Sequence, residues 1–168
     1  MELITSRENR VRFFLILFMI ALTLSGLTAI PTQGETRVLK QLFGPGTWFA
    51  GVLPDVSLWV ERIDEGVQNA YTQYPFLAYP NDWLAFGHVV IAIAFIGPLR
   101  DPIRNIWVVE LGIIACVLVI PWAIVFGALR GIPLFWTMID ASFGIAGIIA
   151  LWLVRRDILS IQAGASPL

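Results

Sequence analysis

The sequence predicts an all-α integral membrane protein with four transmembrane helices, and three observations carry that expectation. Of 168 residues, 58% are hydrophobic and only 14% are charged, where a soluble domain is nearer half and a quarter. Mean hydropathy is +0.79. The apolar residues are gathered into runs, and four runs reach the roughly 17 to 25 residues that a helix needs to cross about 30 Å of hydrocarbon. No water is available there for backbone N–H and C=O groups, so each run must close its hydrogen bonds internally as a helix.

The first span is read over 11–30, "VRFFLILFMIALTLSGLTAI". Arg7, Arg10 and Arg12 ahead of it would also suit a signal peptide. The apolar stretch is long, however, and no clean small-residue cleavage site follows it, so an uncleaved helix is expected. The second span is read over 83–99, the third over 106–127 with Pro121 as an expected kink, and the fourth over 133–154. Together they form a single membrane domain over 1–168, a four-helix bundle.

Residues 31–82 form an outer segment between spans one and two. "TRVLKQLF" (36–43) reads as a short helix, and "GPG" (44–46) breaks it. Over 54–74, Pro54 and Asp55 are start signals, and Val56, Trp59, Val60, Ile63 and Val67 make a helical stripe. Glu61, Arg62, Asp64 and Glu65 fall on the other face. Tyr74, Tyr79 and Trp83 then suit an interfacial aromatic belt. The segment is expected to lie on the outer membrane surface or to cap the bundle.

Arginine placement sets the expected orientation. Arg7, Arg10 and Arg12, then Arg100 and Arg104, then Arg155 and Arg156 all fall on one side when four spans are counted. That side is expected to be cytoplasmic, so both termini face the cytoplasm, in a bacterial cytoplasmic (inner) membrane.

Composition also excludes several classes. A net charge of −1 provides no field for nucleic acid. One cysteine, Cys116, and one histidine, His88, exclude an internal disulfide, a CxxC redox pair, a structural zinc site and a bis-histidine haem within one chain. No nucleotide-binding glycine loop, HExxH or EF-hand loop is present. No cofactor and no metal is therefore expected.

The ionisable residues inside the spans are the candidates for chemistry, because a charge in hydrocarbon is costly unless paired. His88 in span two and Asp140 in span four both lie roughly 7 to 12 Å below the outer surface. Ala85 and Ala92 share the face of His88, and Gly144 and Gly147 share that of Asp140. Small residues mark close helix approach, so both polar groups should point inward. They are the candidate dyad, extended by Asp82, Arg130, Thr137 and Ser142. Glu110 in span three is the third catalytic candidate, although an ion pair with a cytoplasmic-side arginine explains it adequately. A lipid-like ligand would be lined by Trp83, Phe86, His88, Trp136 and Asp140. Arg100 and Arg104 in "GPLRDPIRN" (97–105) are candidates for an anionic lipid headgroup.

Three functions fit this pattern. The first is a non-catalytic accessory or structural subunit that packs against other membrane subunits or its own copies. The second is a small intramembrane enzyme or lipid-like ligand binder using His88 and Asp140. The third is an oligomeric transporter or proton channel, for which four short spans leave little room.

Overall fold

The structure is a computed structural model that describes the backbone of residues 2–165 and the side chains of residues 6–164. The regular elements among the described residues are all helices, without strands. In order they form α1 (Glu2–Thr28), α2 (Thr32–Phe43), α3 (Trp48–Val52), α4 (Pro54–Gln73), a 3-10 turn (Pro75–Ala78), α5 (Tyr79–Ala94), α6 (Ile96–Arg100), α7 (Ile106–Leu129) and α8 (Leu134–Ala165). Four stretches are long and apolar enough to cross a membrane: Ser6–Thr28, Pro75–Arg100, Ile106–Leu129 and Leu134–Gly164.

These helices outrun the runs of hydropathy. The last does not stop at Val154 but carries Arg155 and Arg156 on through Ala165. Its packing stripe simply continues, since Leu151, Val154, Ile158 and Ile161 are all buried. α7 runs through Pro121 without a break. Two compact units result. One joins the chain up to Ala21 with the chain from Ile91 onward, and the other is Leu22–Val90.

In the first unit the core is Val11 and Leu15 of α1, Phe95, Val108 and Val109 of α7, and Leu151, Val154, Ile158 and Ile161 of α8. The Phe18 and Phe95 rings pack at 4.9 Å. Where small residues line the contact between such apolar helices, they set how closely the helices approach. Gly144 and Gly147 of α8 face Cys116 of α7, and Gly112 of α7 faces Leu151 and Phe95. The α7–α8 turn is closed by Ile132 N–H donating to the Gly127 carbonyl at 2.9 Å. Gly131 sits there at φ +68°, the left-handed residue that ends a helix in this way, and Pro133 prevents continuation.

In the second unit α2 and α4 pack side by side, with α3 at their closed end. α2 stops where Gly44 N–H caps the Lys40 carbonyl. Pro45 cannot extend the helix, and Gly46 at φ +86° turns the chain. Pro54 at the first turn of α4 has its missing N–H where a helix needs none.

The α2–α4 contact is polar at its centre. Asp64, which the helical period puts off the apolar stripe, is buried with Ser57, Val60 and Thr36. It turns inward because it is satisfied there: Thr36 Oγ1 donates to Asp64 Oδ1 at 3.0 Å and Gln68 Nε2 donates to the same oxygen at 3.1 Å. Gln68 Nε2 also reaches the Gln33 carbonyl at 2.8 Å, and Arg37 donates to Gln68 Oε1 at 2.7 Å. A buried carboxylate with hydrogen-bonding partners escapes most of its desolvation cost. At the far end, Asn81 Nδ2 donates to Thr32 Oγ1 and to Tyr71 Oη, both at 2.9 Å, tying the start of α5 to α2 and α4.

Candidate functional site

His88 lies on α5 where it crosses α1. Gly26 of α1 is buried there, and a Cβ in its place would run into the His88 Cβ and approach the Ala85 carbonyl. The glycine is required by the closeness of the two backbones. A carbonyl can only accept, so His88 Nδ1 carries the hydrogen that it donates to Leu84 at 2.8 Å. In the neutral ring this leaves Nε2 as the acceptor. Ala85 and Ala92 are buried on the same face, and His88 itself is half-buried.

Trp83 and Phe86, assigned to a ligand lining, are 56% and 59% exposed. Their rings meet edge to face at 5.7 Å, and Tyr79 continues the row at 6.0 Å from Trp83. This makes an aromatic ladder along one outer face of α5.

Asp140 and Trp136 are both half-buried and lie one turn apart on α8. Two residues expected to extend the cluster are spent on their own helix: Thr137 Oγ1 donates to the Pro133 carbonyl at 3.3 Å and Ser142 Oγ to the Ile139 carbonyl at 2.6 Å. Asp82 and Arg130 are exposed. His88 belongs to the Leu22–Val90 unit and Asp140 to the other, so their pairing remains a proposal.

Glu110 meets an arginine, and that arginine is Arg155, whose Nε donates to Glu110 Oε1 at 2.8 Å. Both side chains are about two-fifths exposed, which holds the pair's contribution to roughly 0–1 kcal/mol. Arg100 and Arg104 are exposed on a rigid turn. Its rigidity comes from Asn105 Nδ2, which donates to the carbonyls of Gly97 and Asp101, and from Asp101 Oδ1, which accepts from Arg104 N–H.

A stronger polar contact was not read from the sequence. Arg10 of α1 grips Asp157 of α8 with both ends of its guanidinium, Nε to Oδ2 at 2.5 Å and Nη2 to Oδ1 at 2.6 Å. Asp157 is 3% exposed and Arg10 45%. Arg156 stands further off, at 3.8 Å, with its guanidinium over the Trp152 ring at 5.4 Å. Extending the α8 stripe would have exposed this residue, because position 157 falls on the face of Val154 and Ile161. Among the described residues no three His, Cys, Asp or Glu side chains are grouped to share a metal ion.

Comparison with protein-family models, with curated proteins and with solved structures found no match for this chain.

Proposed function

We propose that the chain is a non-catalytic subunit of a membrane complex, held in a bacterial cytoplasmic membrane with both termini in the cytoplasm. The observation that supports this reading is how the charges near one end of the spans are used. Asp157 is taken by Arg10 and Glu110 by Arg155, which joins α1 to α8 and α7 to α8. Carboxylates paired within the chain in this way hold its helices together and are not left free for turnover. Native mass spectrometry of the protein released gently from its own membrane is expected to show stoichiometric protein partners. A lone chain or homo-oligomer carrying a small molecule would overturn the reading.

The Nε2 nitrogen of His88, which the Leu84 carbonyl does not engage, supports a second reading, an intramembrane enzyme or lipid-like ligand binder in which His88 and Asp140 pair through one shared proton. Under that reading His88→Ala and Asp140→Ala abolish binding or turnover while sparing the fold.

The orientation makes its own prediction. In a Cys116→Ala background, a membrane-impermeant maleimide labels Thr72→Cys in sealed cells and labels Pro102→Cys only after the membrane is opened. Labelling of position 102 from outside sealed cells would invert the topology.

A further inference from the structure

The end of the α2–α4 pair holds an open cleft of about 410 Å³ whose lining includes Arg37, Lys40, Gln41, Gly46, Thr47 and Asp64. Two cations line it against one carboxylate. One oxygen of that carboxylate is engaged, with Oδ1 accepting from both Thr36 and Gln68, and the other, Oδ2, faces Lys40. The cations keep most of their donor capacity. Arg37 gives one Nη2 hydrogen to Gln68 and has no other hydrogen-bond partner among the described residues. Lys40 Nζ stands 3.6 Å from Asp64 and 3.7 Å from Glu61, near enough to be held in place and too far for a hydrogen bond.

Position in the helix explains why both cations face the cleft. Arg37 and Lys40 are three residues apart, so they project from one side of α2. The Gly44–Thr47 turn closes that side, and it can do so because Gly46 takes a positive φ. An arginine fork beside an ammonium, both with N–H groups to spare, is the donor arrangement that phosphate oxygens accept from. Next to the turn the surface becomes apolar and aromatic, with Trp48 75% exposed and its ring against Phe49 at 5.2 Å.

We propose that this cleft binds a phosphate-bearing anion, with Arg37 and Lys40 as its ligands. A phospholipid headgroup and a phosphate free in solution present the same oxygens, and the experiment separates them. The purified chain in maltoside micelles is titrated calorimetrically with inorganic phosphate and, separately, with dihexanoyl phosphatidylglycerol. Saturable binding of at least one is expected. Binding of phosphate identifies the solution anion as sufficient, and binding of the lipid alone identifies a headgroup site.

Lys40→Gln is expected to weaken the bound probe at least tenfold. Position 41 gives a signed test that leaves the Asp64 network untouched: Gln41→Glu weakens binding and Gln41→Lys tightens it, each by severalfold, with unchanged far-ultraviolet dichroism. Failure of both probes to saturate would overturn the proposal. So would equal affinity in Gln41→Glu and Gln41→Lys, whether or not Lys40→Gln folds.

Discussion

Replacing Arg10 by Gln lowers the midpoint of thermal unfolding in detergent by roughly 5–10 °C, and replacing Asp157 by Asn lowers it by clearly less. The asymmetry follows from burial. Asp157 is 3% exposed, whereas Arg10 is 45% exposed. Without Arg10 the carboxylate stays buried with only Arg156 near it, at 3.8 Å. An unpaired buried charge is the expensive outcome of breaking such a pair. Without the carboxylate, by contrast, Arg10 turns to water or headgroups, and the amide of Asn keeps part of the hydrogen bonding. The double variant Arg10→Met/Asp157→Leu should regain most of the loss, because two apolar side chains leave no charge to desolvate. Unfolding followed by circular dichroism checks all three. Equal losses in the two single variants, or none in Arg10→Gln, would show that the pair does not hold α1 to α8.

That contact shows where hydropathy stops being informative. The runs disclosed the four long helices because transfer free energy is a property of composition, which a sequence displays directly. They ended span four at Val154 because Arg155 and Arg156 follow, yet a helix does not end where its hydropathy does. Its backbone hydrogen bonds continue past the apolar run, and the stripe Leu151, Val154, Ile158, Ile161 carries the packing onward. The spacing was visible in the sequence, whereas the partner of Asp157 was not. Which of the arginines near the start of α1 faces it depends on how α1 is rotated, and hydropathy does not report rotation.

The segment between the first two apolar runs follows the same logic. The helix over Pro54–Gln73 was legible from its start signals and period. The stripe Val56, Trp59, Val60, Ile63, Val67 was legible too, but the buried face is turned toward Ser57, Val60 and Asp64. Charge type alone does not say which way such a residue turns. What decides is whether a neighbour satisfies it, and Thr36 and Gln68 do so from positions 28 residues before it and one helical turn after it. Around the two candidate residues the small side chains lie on packed faces: Ala85 and Ala92 beside His88 are buried, and Gly144 and Gly147 on the helix of Asp140 meet α7; Gly26, which meets His88, was not among the residues the spacing pointed to. Glu110 found an arginine, as its position required.

Glycine-to-alanine substitutions on α8 should separate two kinds of close approach. A Cβ at Gly147 would stand 2.5 Å from Cys116 Sγ, with its next neighbours at ordinary contact distances. A Cβ at Gly144 would stand 2.6 Å from the Cys116 backbone carbonyl oxygen and equally near Val119 Cγ1. Each single variant is expected to lose about 1–3 kcal/mol, the usual cost of overpacking a close contact. Only one of them is relieved by shortening the thiol. Cys116→Ala removes the atom that a new methyl group at position 147 would strike, so Gly147→Ala/Cys116→Ala should recover most of the loss. The carbonyl facing position 144 belongs to the main chain and survives any substitution at 116, so Gly144→Ala/Cys116→Ala should remain as unstable as Gly144→Ala. A double-mutant cycle of unfolding in mixed micelles reads the difference as a coupling energy between positions 116 and 147 that is absent between 116 and 144. Equal rescue of both glycine variants would mean that the α7–α8 spacing is set by side chains throughout. Selective rescue of Gly147→Ala would fix Gly144 as the point where the two backbones meet, and would make the hairpin's separation a property of one glycine and one carbonyl.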